Sequence, residues 1–296
     1  MLFKNLNIYE ITAPIEITEE ALVSNYFVPC AGLRAKSAGW VAPLATTEYR
    51  TFEQSGATLL ALKIESKVVP ASAIAEAMKE RIDRIEAVQA RKLPSKERLA
   101  IKDDVLVELL PRALAKSKVV HGYIDQVSQL IVINTSSSSE ADLWLNCLRD
   151  SLGSLGAVPW HASARGPVEH FTKWIMDDSG PAAGVALGES CDLLNPEDGS
   201  KASIRKDEID TEAVRRHIET GKTCQAINIY CQVMNFTIDT NLVIRQLRQV
   251  GNKDQGEDSE TPADRLSSNL VNLALNVRAL VPALFTALGG VVEDVA

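Results

Sequence analysis

The sequence lacks the features of a disulfide-rich or membrane-spanning protein. Its cysteines are few, form no CxxC pair and are odd in number, so neither a disulfide framework nor a structural zinc site is predicted. Reduced and mostly buried thiols are expected at five positions: Cys30, Cys147, Cys191, Cys224 and Cys231. No run approaches the roughly 18 apolar residues of a membrane span, and the N-terminal sequence lacks the apolar core of a secretory signal. These absences favour a cytoplasmic protein.

Motifs of catalysis are missing as well. The chain has no HExxH, GxSxG, GxGxxG or EF-hand pattern, and its four histidines are scattered. Gly221-Lys222-Thr223 matches the end of a phosphate-binding loop, but Arg216 stands where the first glycine is required. Since the tripeptide also follows a predicted helix, Gly221 is interpreted as a helix end and Lys222 as a surface cation.

Two acidic pairs, Asp103-Asp104 and Asp177-Asp178, could bind a metal ion. Adjacent carboxylates in a polar stretch are more often solvated surface residues. No catalytic residue, metal ligand or cofactor is predicted, and we expect a protein that is not an enzyme. A metal-dependent nuclease, which would need carboxylates clustered in space, is the remaining enzymatic alternative.

The residues that are present indicate a globular α+β protein. With 296 residues, 46% hydrophobic and 24% charged, the chain can form one large domain or two modest ones. Alternation at period two and recurrence every three or four residues predict mixed strand-and-helix subdomains with a projecting helical hairpin. Four regions are expected: an N-terminal α+β region 1–71, a basic helical hairpin 72–118, a β-β-α-β region 119–176 and a C-terminal α+β region 177–296.

The hairpin is predicted from a change of period near Ser72, the expected N-cap. A helix to about residue 93, a break at Pro94-Ser95 and a second helix through residue 110 follow. The first helix has a stripe of four apolar residues: Ile74, Met78, Ile82 and Ile85.

The other elements are predicted from the same two periods. Residues 1–70 indicate strands around one short helix, and 177–203 indicate mostly loop, with a possible strand at 185–187. A flexible loop is expected at 251–262, before a long core helix that Pro282 kinks or divides. The remaining strands are predicted at 119–124, 130–134, 157–160, 223–230 and 232–238, and the remaining helices at about 139–153, 168–176 and 210–221.

A basic island at residues 63–118 is the most informative feature of the chain. It contains 13 Lys and Arg against 9 Asp and Glu, a net charge of +4. Since the whole chain has a net charge of −8, the residues outside the island carry −12. A protein that is acidic overall can attract a polyanion only through a local surface. The island is therefore the candidate contact with nucleic acid.

Cations are expected on one flank of the hairpin and at its tip, with Glu97 as the only opposing charge at the tip. Two readings stay open from charge alone: a solvated surface held by ion pairs, or an anion-binding surface. No helix-turn-helix or zinc finger is recognisable. Binding to DNA would therefore be made through phosphates, with little sequence preference and a steep dependence on salt.

Several blocks together resemble one protein family. In chain order they are Met1-Leu2-Phe3-Lys4-Asn5-Leu6, Gly39-Trp40, Gln89-Ala90-Arg91-Lys92-Leu93, Leu109-Leu110-Pro111-Arg112-Ala113, Tyr123-Ile124-Asp125, Ser151-Leu152-Gly153-Ser154-Leu155 with Val158-Pro159, and His217-Ile218-Glu219-Thr220-Gly221-Lys222. Their order and spacing resemble the recombination-associated protein RdgC family over essentially the whole chain.

The resemblance implies a non-enzymatic bacterial protein that binds duplex DNA without much sequence preference, as a ring-shaped dimer with a positively charged central hole. It also implies a role in limiting RecA-promoted strand exchange, a nucleoid-associated location, and DNA contacts from a finger-like projection and from cations near Arg205-Lys206. The projection matches residues 72–118. The candidate DNA contacts are Arg81, Arg84, Arg91, Lys92, Lys96, Arg98, Arg112, Lys116, Lys118, Arg205, Lys206 and Lys222.

Three residues, at two places in the chain, depart from the family pattern. Leu114 and Ser117 stand where relatives have aromatic residues that help to close the ring, and Asp207 stands where an uncharged amide is expected. A carboxylate at that place would repel a phosphate. The competing hypothesis is a protein-interaction module that binds the recombinase itself through the acidic surface and the loop at 251–262.

Overall fold

The computed structural model describes residues 3–160, 166–177, 180–181, 184–250 and 261–290. Within them the chain forms two antiparallel sheets and seven α-helices, which confirms the α+β class. The helices are α1 Glu19–Val23, α2 Ala71–Gln89, α3 Ser95–Leu109, α4 Ser138–Leu152, α5 Pro167–Met176, α6 Glu212–Glu219 and α7 Pro262–Ala287. The strands are β1 Asn7–Ile11, β2 Lys36–Val41, β3 Thr51–Gln54, β4 Ala57–Val68, β5 Leu114–Asp125, β6 Leu130–Ile133, β7 Ala157–Pro159, β8 Val185–Leu194, β9 Lys201–Arg205, β10 Thr223–Cys231, β11 Met234–Asp239 and β12 Ile244–Gln249.

The first sheet has the order β2-β4-β5-β6-β1-β7, and β3 also pairs with β4. The long strands β4 and β5 pair along their whole length, from Ala57 opposite Asp125 to Val68 opposite Leu114. Helix α4 covers one face of this sheet, where Trp144 packs edge-on against Trp40 with 5.3 Å between ring centroids. Gly122 lies under Trp144, and a Cβ atom there would be only 2.7 Å from the indole ring. The close approach of strand and helix therefore requires glycine.

The second sheet has the order β12-β11-β10-β8-β9. It shares a core with the other face of the first sheet, and a backbone bridge between Leu6 and Ile244 joins the two sheets. One apolar face of α7 lies in this core, which confirms the prediction of a long core helix. The buried residues of that face include Leu270, Leu273, Val277, Leu280 and Leu284. The helix continues through Pro282, so of the two expected effects of this proline, a kink or a division, the division does not occur. Among the described helices, α7 alone is long and apolar enough to span a membrane.

The prediction of mostly loop at 177–203 is wrong, because β8 and β9 occupy much of it. Their solvent-facing positions carry residues such as Glu189, Asp192 and Ser203, and this polar face concealed the strands. β12 was not predicted. Of the flexible loop expected at 251–262, residues 251–260 lie outside the described residues, whereas Thr261 caps α7 in a reciprocal hydrogen-bonded pair with Asp264.

The hairpin exists, but its bounds differ from those predicted. Helix α2 begins after Pro70 and ends at Gln89, and Ser72 lies inside it instead of capping it. β5 begins at Leu114, five residues earlier than predicted, so the final residues of the region 72–118 belong to a strand. The first six residues of β5 are exposed, and no alternation of buried and exposed residues revealed them.

The two helices of the hairpin pack chiefly on each other. Their small core consists of Leu93, Ile101 and Val105, with the predicted stripe of α2 half-buried against them. No residue of α2 is fully buried. The hairpin is thus an insertion between β4 and β5 that has its own core and leaves much of α2 exposed.

Candidate nucleic-acid interface

The charge of the basic island is distributed unevenly over the projection. The helical part, residues 71–112, carries nine basic and eight acidic side chains, whereas the flanking strand segments 63–68 and 113–118 carry four basic and one acidic. Most of the excess positive charge therefore lies on the paired strands β4 and β5. The helices themselves are nearly neutral.

The hairpin tip, residues 90–98, contains an acidic partner that was not predicted. The Glu86 carboxylate accepts hydrogen bonds from Lys92 Nζ at 2.7 Å, from the Leu93 backbone N–H at 2.9 Å and from Arg98 Nη2 at 3.2 Å. The bonds from Lys92 and Leu93 contribute most to a pKa of Glu86 lowered to about 2. The prediction that Glu97 alone opposes the tip cations is wrong, because Glu86 reaches them from α2.

Other candidate cations of the hairpin are also paired. Arg91 donates to Glu97 at 2.9 Å, Arg84 to Glu80 at 2.8 Å, and Arg81 lies 3.5 Å from Glu108 across the two helices. Neighbouring acidic side chains therefore neutralise these cations. Exposed pairs of this kind contribute about 0–1 kcal/mol, so a phosphate can replace the carboxylate at small cost.

Three candidate cations of the projection are exposed and have no ion-pair partner among the described residues. Lys96 lies in the first turn of α3, Arg112 between α3 and β5, and Lys116 on β5. Lys118, two residues further along β5, donates to Glu140 in the first turn of α4. These positions bring cations to the hairpin tip, to its base and to the strand beside it.

The remaining candidates lie on the second sheet. Arg205, at the end of β9, donates to Asp192 at 2.6 Å and to the Cys191 carbonyl at 3.1 Å. Lys206 is exposed, has a left-handed backbone with φ of 56°, and forms no ion pair with the described residues. The Asp207 carboxylate accepts the Glu208 backbone N–H at 2.9 Å.

Lys222 is half-buried between α6 and β10. The pKa of nearby Asp198 is lowered by hydrogen bonds from Ser200 and further by the Lys222 ammonium. Gly221 has φ of +94° just after the Thr220 cap of α6, which confirms its interpretation as a helix end.

Sequence reasoning missed three residues of this surface. Glu86 and Glu140 form ion pairs with the candidate cations Lys92 and Lys118. They come close to these cations only in the folded protein. Lys36 lies on β2, outside the basic island in sequence, and joins the same sheet next to β4. Only the strand pairing could have identified it.

No group of three His, Cys, Asp or Glu side chains in the described ranges is placed to hold a metal ion. Asp103 and Asp104 are exposed, and Asp178 of the second acidic pair lies outside the described residues. All five cysteines are free, and three of them are buried. Burial raises the pKa of Cys231 to about 11, so this thiol is poorly suited to nucleophilic chemistry.

Comparison with known proteins identifies relatives over nearly the whole chain. A sequence model of the family described as "Putative exonuclease, RdgC" matches residues 1–291. The recombination-associated protein RdgC of Halorhodospira halophila is 30% identical over 299 residues, with 98% of each chain covered. The proteins of the same name from Aeromonas hydrophila and Tolumonas auensis are 31% and 32% identical, covering 98% of this chain and 98% and 99% of their own.

Proposed function

Since the chain belongs to the RdgC family of recombination-associated proteins, we propose that it binds double-stranded DNA through phosphate contacts with little sequence preference. In this proposal it is a cytoplasmic, nucleoid-associated protein that encircles DNA as a homodimer. By occupying duplex DNA it limits RecA-promoted recombination.

The observation that carries the proposal is the excess positive charge at the base of the projection. Arg112 and Lys116 are exposed there and lack an ion-pair partner in the described part of the chain, while the protein as a whole has a net charge of −8. On a protein with a net negative charge, phosphates are attracted to such a local cationic surface and not to the rest of the molecule. The absence of a recognisable base-reading module favours contacts to the DNA backbone.

The exposed side of the hairpin supports the proposed dimer. The apolar stripe of α2 is only half-buried by α3, and Val68 and Leu114 are exposed where β4 and β5 meet the hairpin. A second copy that covers these residues would remove apolar surface from water. In the proposed ring this contact would join the two copies at one end, with cations facing the central hole and the acidic remainder facing outward.

The proposal is tested first by titrating the full chain with random duplex DNA at several salt concentrations. Contacts to several phosphates predict that the logarithm of the binding constant falls linearly with the logarithm of salt, by about 0.9 for each phosphate. A binding constant that does not change with salt concentration would contradict the electrostatic mechanism. Mass in solution, and binding to circular against linear duplex, test the ring.

Inhibition of RecA distinguishes competition for DNA from direct binding to the recombinase. A protein that only occupies DNA loses its effect when duplex is in large excess, whereas a direct binder keeps it. We expect the loss. Persistent inhibition at excess DNA would favour the protein-interaction alternative.

The proposed role is not catalytic, although the matching family description contains the word exonuclease. Incubation of end-labelled linear duplex with the protein and Mg²⁺ or Mn²⁺ is the direct test. We expect the label to remain in full-length DNA. Release of mononucleotides in proportion to protein concentration would overturn this part of the proposal.

A further inference from the structure

One row of side chains on the first sheet joins two parts of the sequence that lie far apart. In the strand register Lys36 of β2 is opposite Ser66 of β4, and Ser66 is opposite Lys116 of β5. Residues directly opposite one another on adjacent strands point to the same face of a sheet. Lys36, Ser66 and Lys116 therefore form one row, here called the cationic row, across three strands.

This row lies beyond the part of the sheet that α4 covers. Four residues from Lys36 along β2, Trp40 is opposite Leu62 on the same face of the sheet, and both side chains are buried on the α4 side. Between these two positions, Lys118 of β5 is opposite Ile64 and still contacts α4 through Glu140. At the row itself Lys36 and Lys116 are exposed and Ser66 is half-buried.

No carboxylate of the described chain forms an ion pair with either lysine of the row. The nearest acidic residue in sequence, Glu65, faces the opposite side of β4, where its carboxylate accepts the Cys30 backbone N–H at 2.7 Å. Arg34 Nε donates to the Lys36 carbonyl at 3.2 Å, which holds a further exposed cation beside the row. The row therefore differs from the hairpin, whose cations are mostly bound to acidic residues.

We propose that the cationic row is a binding site for the phosphate backbone of duplex DNA, with Lys36 and Lys116 as the charged contacts and the Ser66 hydroxyl as a donor between them. This inference rests on the proposed function and extends its Lys116 contact across the sheet to Ser66 and Lys36. Strand spacing places the two lysine backbones about 10 Å apart. Duplex DNA carries one charge for every 1.7 Å of its axis on the two strands together, so about six charges lie along that length whatever the sequence, and those on the near side can meet the row.

The test compares two double variants that remove the same charge from the full chain. Lys36→Ala with Lys116→Ala removes the row, and Lys79→Ala with Lys102→Ala removes two exposed hairpin lysines that have no ion-pair partner among the described residues. Affinity for two unrelated duplexes is measured by fluorescence anisotropy across a salt series. The row variant should weaken binding equally on both duplexes and reduce the salt slope by about two units. The hairpin control should leave the slope within about half a unit of wild type, because neither Lys79 nor Lys102 is among the candidate DNA contacts.

Two outcomes separate this inference from the proposed function. If the wild type shows no salt-dependent binding, the proposed function fails and the row fails with it. If the wild type binds with a steep slope but the row variant matches wild type, or weakens no more than the hairpin control, the row is not a site and the proposed function stands. A third variant, Lys36→Gln with Lys116→Gln, keeps the aliphatic stems and repeats the test if the alanine variant melts at a lower temperature.

Discussion

Glu86 of α2 accepts the backbone N–H of Leu93 at 2.9 Å, and this contact holds the turn between the two hairpin helices. Ala90 adopts a left-handed conformation with φ of 48° where α2 ends, so the chain reverses sharply there. Leu93 can then enter the small hairpin core. The same carboxylate binds Lys92 and Arg98, so the residue that shapes the tip also neutralises its cations.

Replacing Glu86 with Gln should increase affinity for duplex DNA by roughly threefold, because the exposed cations Lys92 and Arg98 lose the carboxylate that competes with phosphate for them. The amide oxygen can still accept the Leu93 N–H, while Lys92 and Arg98 are released toward phosphate. Anisotropy at moderate salt measures the change. Glu76→Gln, at an exposed α2 position without an ion-pair partner among the described residues, is the matched control. Equal gains in both variants would show an effect of net charge alone.

The stability of the hairpin turn should depend on acid pH through Glu86. Its pKa is lowered from the ordinary 4.5 to about 2 in the folded protein. The carboxylate therefore stabilises the fold fully above about pH 4.5, and this contribution is lost as the pH falls from there toward 2. Amide hydrogen exchange at Leu93, corrected for the intrinsic effect of pH, should show protection decreasing over this range. In Glu86→Gln the decrease should be absent, and a decrease of the same size there would assign it to other acids.

A second ion pair should control the stability of the whole molecule. Arg278 of α7 donates to both carboxylate oxygens of Asp125 at 2.8 Å and to the Ser55 carbonyl at 2.9 Å, and only 1% of the Asp125 side chain is exposed. Burial opposes ionisation of Asp125, but hydrogen bonds from Arg278, from Ser128 and from a backbone N–H hold its pKa below the ordinary value. Arg278→Met leaves this charge buried without its partner and should lower the free energy of unfolding by about 3–5 kcal/mol.

Urea denaturation followed by circular dichroism measures that loss. Adding Asp125→Asn to Arg278→Met removes the stranded charge, so the double variant should recover part of the stability. If the double variant loses as much free energy of unfolding as the two single variants together, the two residues act independently. The ion pair would then not be the cause of the lost stability.

The sequence predicted most of the elements whose side chains repeat regularly. Helix α7 was evident from its leucine stripe and the hairpin from Ile74, Met78, Ile82 and Ile85, because one buried face per element leaves a periodic trace. β8 and β9 were missed because their outer faces are as polar as a loop. The site was harder to predict, because Glu86 and Lys36 acquire their neighbours only when a turn closes or strands pair. Charge counting located the basic island but could not show which cations are already bound.

Two pairs of cations in the hairpin region differ in whether a carboxylate already binds them. Arg91 and Lys92 donate to Glu97 and Glu86, whereas Lys96 and Arg112 have no ion-pair partner in the described part of the chain. A phosphate that binds Arg91 or Lys92 must first displace Glu97 or Glu86. Removing these two cations therefore deletes contacts that competition from the carboxylates already weakens. Removing Lys96 and Arg112 deletes cations that meet phosphate without such competition.

We therefore expect Lys96→Ala with Arg112→Ala to reduce the salt slope by about two units and Arg91→Ala with Lys92→Ala to reduce it by less, each equally on unrelated duplexes. The two variants have the same net charge, so the comparison controls for the overall field of the protein. A larger effect of the Arg91 and Lys92 pair would mean that the carboxylates release these cations when DNA binds. A loss confined to one DNA sequence would contradict recognition through phosphates.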